Sequence, residues 1–252
     1  MPDTESAQII RKDLGEGLVE VVLNRAPVNA LTASFLMQFA SALEELAADQ
    51  TVRAVVLSSA FKVYSAGLDL REAQAFDRAA ENAIVDALNI GFLTQFAFPK
   101  PLVAAITGSA IAGGFFFVLA ADWRVSGSNA KFGLAEVRVG ADFPVGPLEI
   151  ARATLDPNSL RRLMLTGQPM SATDAAAEGI IDYVCEAKEV KDAAVAKARE
   201  LAEIPGATYA RVKAQMRGPA IAVIKAGMEH LKQDSDRRWF GPETKSAMRK
   251  ML

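Results

Sequence analysis

The sequence predicts an α/β fold in which helices cover a mostly parallel β-sheet. Short apolar runs recur along residues 18–126 and alternate with longer helical patterns. The run Leu-Val-Ala-Ala-Ile at 102–106 is apolar throughout, as expected for a strand that is buried on both faces. Glycine-rich turns follow two of the strands. Because ligands bind beyond the carboxyl ends of parallel strands, these turns also mark a candidate site.

Capping residues, prolines and β-branched side chains predict the strands and helices between residues 18 and 126. Residues 18–23 are rich in β-branched side chains and predict a strand, and a turn of Asn and Pro follows at 24–29. Thr32 is a candidate N-cap for a helix that runs to about Ala48. The elements predicted next are a strand at 53–58, a short helix at 70–73, a long helix at about 80–97 that Pro99 and Pro101 end, and strands at 102–106 and 123–126.

The pattern becomes helical throughout after about residue 187. Helices are predicted at 188–204, 207–217, 219–236 and 243–251. Each is separated from the next by a Pro-Gly or Gly-Pro pair, at 205–206, 218–219 and 241–242. We therefore expect an α/β core at 1–187 and a helical C-terminal region at 188–252, which packs on the core or on another subunit.

Composition and charge argue against several classes of function. The formal net charge of -2 and the 7% of aromatic residues give no basic, aromatic surface for a nucleic acid. No apolar run reaches the roughly 18 residues of a membrane-spanning helix, and the N-terminus is acidic, unlike a secretory or mitochondrial leader. The single cysteine, Cys185, has no partner for an internal disulfide and is expected in a buried strand. We expect a soluble, cytoplasmic protein.

The single histidine, His230, limits the available mechanisms. A Ser-His-Asp triad or a multi-histidine metal site would have to be built around it alone. It lies in a late amphipathic helical pattern, where we expect a structural or surface role. We therefore expect no metal site.

Two glycine turns carry the strongest functional signal, Ser-Ala-Gly-Leu-Asp-Leu at 65–70 and Ala-Gly-Gly-Phe at 112–115. Each is predicted to leave a strand and open a helix, whose first N–H groups have no partner inside the helix. Two such turns that face each other would direct two N–H groups at one oxygen, as an oxyanion hole requires. The spacing alone leaves a purely structural role open. The chain has no P-loop, G-x-G-x-x-G or G-x-S-x-G pattern to support a phosphate loop, a Rossmann site or a serine hydrolase elbow.

The candidate acid/base is a carboxylate in an apolar stretch. Glu136 ends the run Phe-Gly-Leu-Ala-Glu at 132–136. Apolar surroundings disfavour the charged form and raise a carboxyl pKa towards the range in which a general base works. The alternative is a surface glutamate at a strand end, since the chain has 30 acidic residues.

Motifs along nearly the whole chain are similar, in order and spacing, to those of the crotonase (enoyl-CoA hydratase/isomerase) superfamily. They lie at 24–31, 64–70, 101–108, 112–114, 121–124, 132–140, 165–167, 175–179 and Val184. The resemblance implies a crotonase-like ββα spiral core with a helical C-terminal region that forms a trimer or a dimer of trimers. It also implies an acyl-CoA thioester substrate. Coenzyme A is then part of the substrate, and no metal or redox cofactor is needed.

The resemblance also implies roles for single residues. Matched position by position, the backbone N–H groups of Leu68 and Gly113 form the oxyanion hole, and Glu136 is the catalytic acid/base. Ala66 and its neighbours match the stretch that binds the adenine and lines the channel for coenzyme A. The residues implied to bind the substrate's coenzyme A part are Ala66, Gly67, Leu68, Asp69, Leu70 and Gly113.

Other charged residues have simpler interpretations. Asp69 is alternatively the cap of the following helix, and Asp122 is expected to be structural, near Arg124. Arg249 and Lys250 either reach the phosphates of coenzyme A or form a solvated helix face, and the second is the default for charged helix residues.

One departure from the family pattern narrows the reaction. Hydratases of the superfamily usually carry a second glutamate three residues after the hole glycine, and this position is Phe116 here. Phenylalanine neither activates nor holds water. A lone glutamate can still move a proton from the α-carbon to the γ-carbon while the hole holds the enolate. We therefore expect a Δ3,Δ2-enoyl-CoA isomerase of fatty acid β-oxidation. The alternatives are a hydratase or a thioester hydrolase that uses Asp142 or Glu149, and a non-catalytic acyl-CoA-binding protein.

Overall fold

The structure is a computed structural model that describes residues 7–234 and 237–250. Its strands are β1 Ile9–Asp13, β2 Leu18–Leu23, β3 Ala54–Ser59, β4 Leu102–Ile106, β5 Ala110–Ile111, β6 Trp123–Gly127, β7 Lys131–Gly133, β8 Met170–Ser171 and β9 Tyr183–Cys185. Its helices are α1 Ala33–Ala48, α2 Leu70–Ala73, α3 Arg78–Phe96, α4 Phe116–Leu119, α5 Val145–Thr154, α6 Pro157–Thr166, α7 Ala172–Ala177, α8 Val190–Ala202, α9 Gly206–Gln233 and α10 Thr244–Arg249. Two 3-10 helices are also present, Ala112–Phe115 and Glu136–Val139.

The main sheet contains six strands in the order β1-β2-β3-β4-β6-β9. All its neighbours are parallel except β1, which pairs antiparallel with β2. A smaller sheet has the order β5-β7-β8. The predicted α/β class with a mostly parallel sheet is therefore confirmed. The half-polar strand β1, Ile-Ile-Arg-Lys-Asp, was not predicted because it is an exposed edge strand without a continuous apolar face.

Helices cover both faces of the main sheet, and alternate residues of each strand face the two layers. In β3, Val55 and Leu57 belong to the large core under α1 and α3, whereas Val56 belongs to a smaller core under α8. Helix α8 meets the sheet with the small side chains of Ala194 and Ala198, four residues apart on one helix face. This close contact explains part of the high alanine content of the chain.

Helix α9 differs from the prediction, because it runs through Gly218 and Pro219 without a break. A proline in a helix interior removes a backbone hydrogen bond and costs about 3 kcal/mol. Buried side chains anchor α9 on both sides of this point, Arg217 before the proline and Ile224 after it. Packing therefore outweighs the local cost and joins the two predicted segments, 207–217 and 219–236, into one helix. Residues 235 and 236 lie outside the described part.

Asp122 anchors α9 to the main sheet. Its carboxylate lies 2.7 Å from the ammonium of Lys213 and 2.9 Å from the guanidinium of Arg217, and no more than 8% of any of the three side chains is exposed. It also accepts the backbone N–H of Leu102 at 2.8 Å. Burial lowers the pKa of Lys213 to about 8, although Asp122 opposes the shift. The expected structural role of Asp122 and its position near Arg124 are confirmed, and its ion-pair partners lie on α9.

Several smaller expectations can be compared with the structure. The Thr32 hydroxyl accepts the N–H of Phe35 at 3.2 Å, which confirms the N-cap of α1. His230 is exposed on α9, as expected. Cys185 lies in a strand but is half-buried and not buried, because β9 is the edge strand of the sheet. Of the helices that the structure describes, none has the length and apolar composition to cross a membrane. The division of the chain at residue 187 stays a prediction.

Candidate active site

The two glycine turns lie side by side. Ser65 pairs with Ala110 in a parallel bridge, which brings the start of the first turn against the short strand β5 that leads into the second. Gly67 has a φ of 81°, and a Cβ placed there would lie 2.8 Å from the carbonyl oxygen of Ile111 and 3.2 Å from the nitrogen of Gly113. Glycine at position 67 therefore permits both the left-handed backbone and the close approach of the turns.

A buried asparagine holds the first turn in place. Asn29 is fully buried, and its amide donates to the hydroxyl of Ser59 at 2.8 Å and to the carbonyl of Tyr64 at 2.9 Å. The hydroxyl of Ser65 donates to the Asn29 carbonyl at 2.7 Å. A Cβ on Gly114 would lie 2.5 Å from that hydroxyl, so the second turn packs directly on the same support. The turns are thus fixed by a polar network that leaves little room for movement.

The N–H groups of Leu68 and Gly113 remain available for a ligand. Leu68 faces Leu31 in a parallel bridge, and the two hydrogen bonds of that bridge use Gly67 and Asp69 on either side of it. Gly113 is the second residue of a 3-10 helix, so its N–H has no acceptor within the helix. Both residues line the same cleft. Two unused N–H donors at one place have the composition of an oxyanion hole.

Asp69 caps α2 and is not part of the cleft. Its carboxylate accepts the N–H groups of Arg71 and Glu72 at 3.2 Å and pairs with Arg25 at 3.0 Å. Arg25 and Arg71 line an outer groove that shares Ala66, Leu68 and Leu70 with the cleft. The suggested cap role is confirmed. The expected coenzyme A segment at 66–70 therefore contributes residues to both the cleft and the groove, and its role in binding stays a prediction.

The cleft has a volume of about 690 Å³, including its open mouth, and its walls are almost entirely apolar. Among the described residues that line it, Glu136 is the one with a charged side chain. The lining consists of Leu31, Ala66, Leu68, Leu70, Leu88, Ile111, Ala112, Gly113, Phe116, Ala135, Glu136, Val139, Ala141, Phe143, Pro144, Pro147 and Trp239.

Glu136 is the first residue of the second 3-10 helix and is only 8% exposed. Its Oε2 atom has no hydrogen-bond partner among the described residues. Because burial penalises the charged form, the pKa of Glu136 rises from its ordinary value of 4.5 to about 8. A hydrogen bond from the Glu136 backbone opposes this shift of the pKa but does not outweigh burial. A buried carboxyl with a raised pKa and one unpartnered oxygen in a cleft is a candidate for proton exchange with a ligand.

This raised pKa predicts a stability difference between the wild type and Glu136→Gln that depends on pH. The carboxyl loses its proton near pH 4.5 in the unfolded chain and near pH 8 in the folded one. Its contribution to the free energy of unfolding is therefore fully present below pH 4.5 and is lost as pH rises through 8. We expect the wild type to lose up to about 1.4 kcal/mol per pH unit relative to the variant in that interval. Urea unfolding of both proteins at a series of pH values measures this difference in the free energy of unfolding. A difference that does not change with pH would contradict the raised pKa of Glu136.

The remaining carboxylates that the sequence suggested lie elsewhere. Asp142 is exposed and borders a second cleft, and Glu149 pairs with Arg152 at 2.6 Å. Neither lines the cleft of Glu136. Phe116 does line it, is 1% exposed, and packs against Phe143 with the ring centroids 6.4 Å apart. The position of the expected second glutamate is therefore an apolar part of the cleft wall.

Sequence reasoning missed two residues that shape the site. Asn29 was recognised as part of a turn but not as its support, because nothing in a polar turn reveals that one amide will be buried. Trp239 lines the cleft although it lies about a hundred residues after Glu136. It is brought there by a bridge between Ala141 and Phe240, and no local pattern indicates such a contact.

Known proteins are similar to this chain over most of its length. The family model described as enoyl-CoA hydratase/isomerase matches residues 13–239. Among curated proteins, the chain is 39% identical over 207 residues to "Probable enoyl-CoA hydratase EchA17" of Mycobacterium tuberculosis. That match covers 79% of this chain and 76% of the relative.

Solved structures show the same fold. The human mitochondrial delta3-delta2-enoyl-CoA isomerase is similar with a TM-score of 0.84 and 25% identity, over 97% of this chain and 96% of that one. A probable enoyl-CoA hydratase of Mycobacterium tuberculosis, EchA3, is similar with a TM-score of 0.82 and 26% identity, over 90% and 95% of the two chains. The protein therefore has the crotonase fold and belongs to the enoyl-CoA hydratase/isomerase family.

Proposed function

We propose that this protein is a Δ3,Δ2-enoyl-CoA isomerase that acts in fatty acid β-oxidation. The observation that carries the proposal is the single acid/base of the cleft, Glu136, beside the apolar side chain of Phe116. Moving a double bond needs one group that takes a proton and returns it. Adding water needs a second group that holds and activates the water molecule.

The proposed reaction moves one proton within the substrate. The Glu136 carboxylate takes a proton from the α-carbon of 3-enoyl-CoA, and the electron pair moves onto the thioester oxygen. The N–H groups of Leu68 and Gly113 donate hydrogen bonds to this enolate. Glu136 then returns the proton to the γ-carbon, which leaves the conjugated 2-enoyl thioester. The apolar walls limit water in the cleft, so the intermediate is protected from side reactions.

The second candidate is hydration of 2-enoyl-CoA, which the printed name of the relative EchA17 favours. A second acid/base would then be required in the cleft. Asp142 and Glu149 are the nearest candidates from the sequence, but Glu149 is held by Arg152 and Asp142 borders another cleft. Hydration through either residue needs a rearrangement of its surroundings, so the isomerase is the better-supported reaction.

The proposal extends to the handling of coenzyme A and to assembly. Residues 66–70 are proposed to contact the adenine of coenzyme A. They would also line the path of the rest of coenzyme A from the outer groove of Arg25 and Arg71 to the oxyanion hole. We also propose a homotrimer or a dimer of trimers, for which the exposed apolar side chains of Val212, Met216 and Val223 on α9 offer contact surface.

The test is an absorbance assay with 3-enoyl-CoA and 2-enoyl-CoA measured side by side. We expect the conjugated 2-enoyl thioester to form from the first substrate, with little loss of conjugation in the second. Rapid hydration of 2-enoyl-CoA would instead support the hydratase, and loss of that activity in Asp142→Ala or Glu149→Ala would identify the second group. Binding of both thioesters without turnover would support a non-catalytic acyl-CoA-binding protein.

A further inference from the structure

Trp239 lines two clefts. One is the cleft of Glu136, and the other is a more open cleft of about 1320 Å³ including its mouth. We propose that Trp239 sets the length of acyl chain that the protein accepts, because its indole ring closes the end of the active-site cleft. This inference rests on the proposed acyl-CoA substrate and adds the residue that selects among such substrates.

The direction of the acyl chain follows from what the clefts share. The outer groove of Arg25 and Arg71 shares Ala66, Leu68 and Leu70 with the active-site cleft, so the thioester enters on that side. The second cleft shares Trp239 with it. An acyl chain whose thioester carbonyl lies at the N–H groups of Leu68 and Gly113 therefore extends away from the outer groove and towards the indole of Trp239.

The indole is held in a fixed position by several contacts. Its N–H donates to the carbonyl of Asp142 at 2.9 Å, and its ring stacks on Phe240 with the centroids 4.9 Å apart. Phe240 is bridged to Ala141, immediately after the 3-10 helix of Glu136. Upstream, Arg237 makes two hydrogen bonds of 2.8 and 2.7 Å to the carboxylate of Asp86 on α3. A side chain held in this way acts as a wall and not as a mobile cover.

The second cleft offers a suitable path for a longer chain. Phe76 and Phe240 line it, and their rings stack with a centroid distance of 6.2 Å and an interplanar angle of 5°. Six charged residues line the same cleft, so its apolar part is a strip and not a closed pocket; they are Asp77, Arg78, Glu81, Asp142, Arg238 and Lys245. Removing the indole would join this strip to the active-site cleft and admit methylene groups that the wild type excludes.

The test compares Trp239→Ala and Trp239→Phe with the wild type on a series of 3-enoyl-CoA substrates from short to long. We expect the ratio of kcat/KM for long over short chains to rise about tenfold or more in Trp239→Ala, and less in Trp239→Phe, since each accommodated methylene changes discrimination by a factor of this order. Trp123→Ala is the matched control, because Trp123 is the other tryptophan and lies at the smaller core, under Lys197. An unchanged ratio in a folded Trp239→Ala protein would overturn the proposal.

A binding measurement separates this proposal from the proposed reaction. The affinities of saturated acyl-CoA thioesters of increasing length are measured by calorimetry for the same variants, without any turnover. One outcome is that the wild type shows no isomerase activity, whereas Trp239→Ala gains affinity for long chains. This would support the role of Trp239 in chain length and contradict the isomerase proposal. The opposite outcome is that the wild type isomerises short chains and neither variant changes the dependence on chain length. This would support the isomerase and contradict the role of Trp239 in chain length. Trp239→Phe keeps an aromatic ring on Phe240 and covers the case in which Trp239→Ala does not fold.

Discussion

Glu136→Gln is expected to lower kcat on 3-enoyl-CoA by about 10³-fold, the usual contribution of a positioned general acid/base. Glutamine has the shape of the protonated carboxyl that burial favours at Glu136, so packing and thioester binding should change little. It has no oxygen that can take and return a proton. The loss should therefore appear in kcat, with KM and the affinity for acyl-CoA nearly unchanged. Steady-state kinetics together with calorimetric binding measures both.

Glu149→Gln is the matched control for this substitution. It makes the same chemical change at a carboxylate that pairs with Arg152 outside the cleft. We expect it to retain wild-type turnover of 3-enoyl-CoA. Full activity in Glu136→Gln would show that another group moves the proton, and the assignment of the catalytic acid/base would be wrong.

Gly67→Ala is the second substitution with a large expected effect. Its φ of 81° is unfavourable for a side chain, and the new Cβ would lie 2.8 Å from the Ile111 carbonyl and 2.9 Å from the Cβ of Ala112. To relieve these contacts the two turns must separate, which moves the N–H groups of Leu68 and Gly113 apart. Since loss of one oxyanion-hole donor costs about 10²–10³ in kcat, we expect a loss of this order, measured by steady-state kinetics.

Gly179→Ala separates backbone strain from the effect on the site. Gly179 has a φ of 70°, and a Cβ there would have no atom within 4 Å. Its substitution should cost the roughly 1–2 kcal/mol of a left-handed backbone while leaving turnover intact. Both variants are compared by thermal unfolding and by kcat. If Gly67→Ala lost stability like Gly179→Ala but kept its activity, the adjacent turns would not form the hole.

The parts of the fold that sequence reasoning predicted are those with a local signal. Apolar runs predicted β2, β3 and β4, and the capping hydroxyl of Thr32 predicted the start of α1. The two glycine turns and Glu136 were found because their chemistry requires particular residue types within a few positions. The structure brings all three to one cleft.

The parts that could not be predicted depend on contacts between distant segments. The exposed strand β1 forms because β2 offers it a hydrogen-bonding edge. Helix α9 continues through Pro219 because buried side chains hold it on both sides. Trp239 reaches the cleft because its neighbour Phe240 is bridged to Ala141, about a hundred residues earlier in the chain. Each of these features is decided by tertiary packing, which a local pattern does not encode.

The ion cluster of Asp122 also has a consequence for the order in which the chain can fold. Asp122 leaves the ribosome well before Lys213 and Arg217, the two cations that neutralise it. A buried carboxylate without its partner costs about 3–5 kcal/mol, so the nascent sheet gains little by enclosing this side chain early. This cost disfavours closure of the native core before Arg217 is synthesised, and we expect the first 187 residues to complete their folding together with the helices that follow.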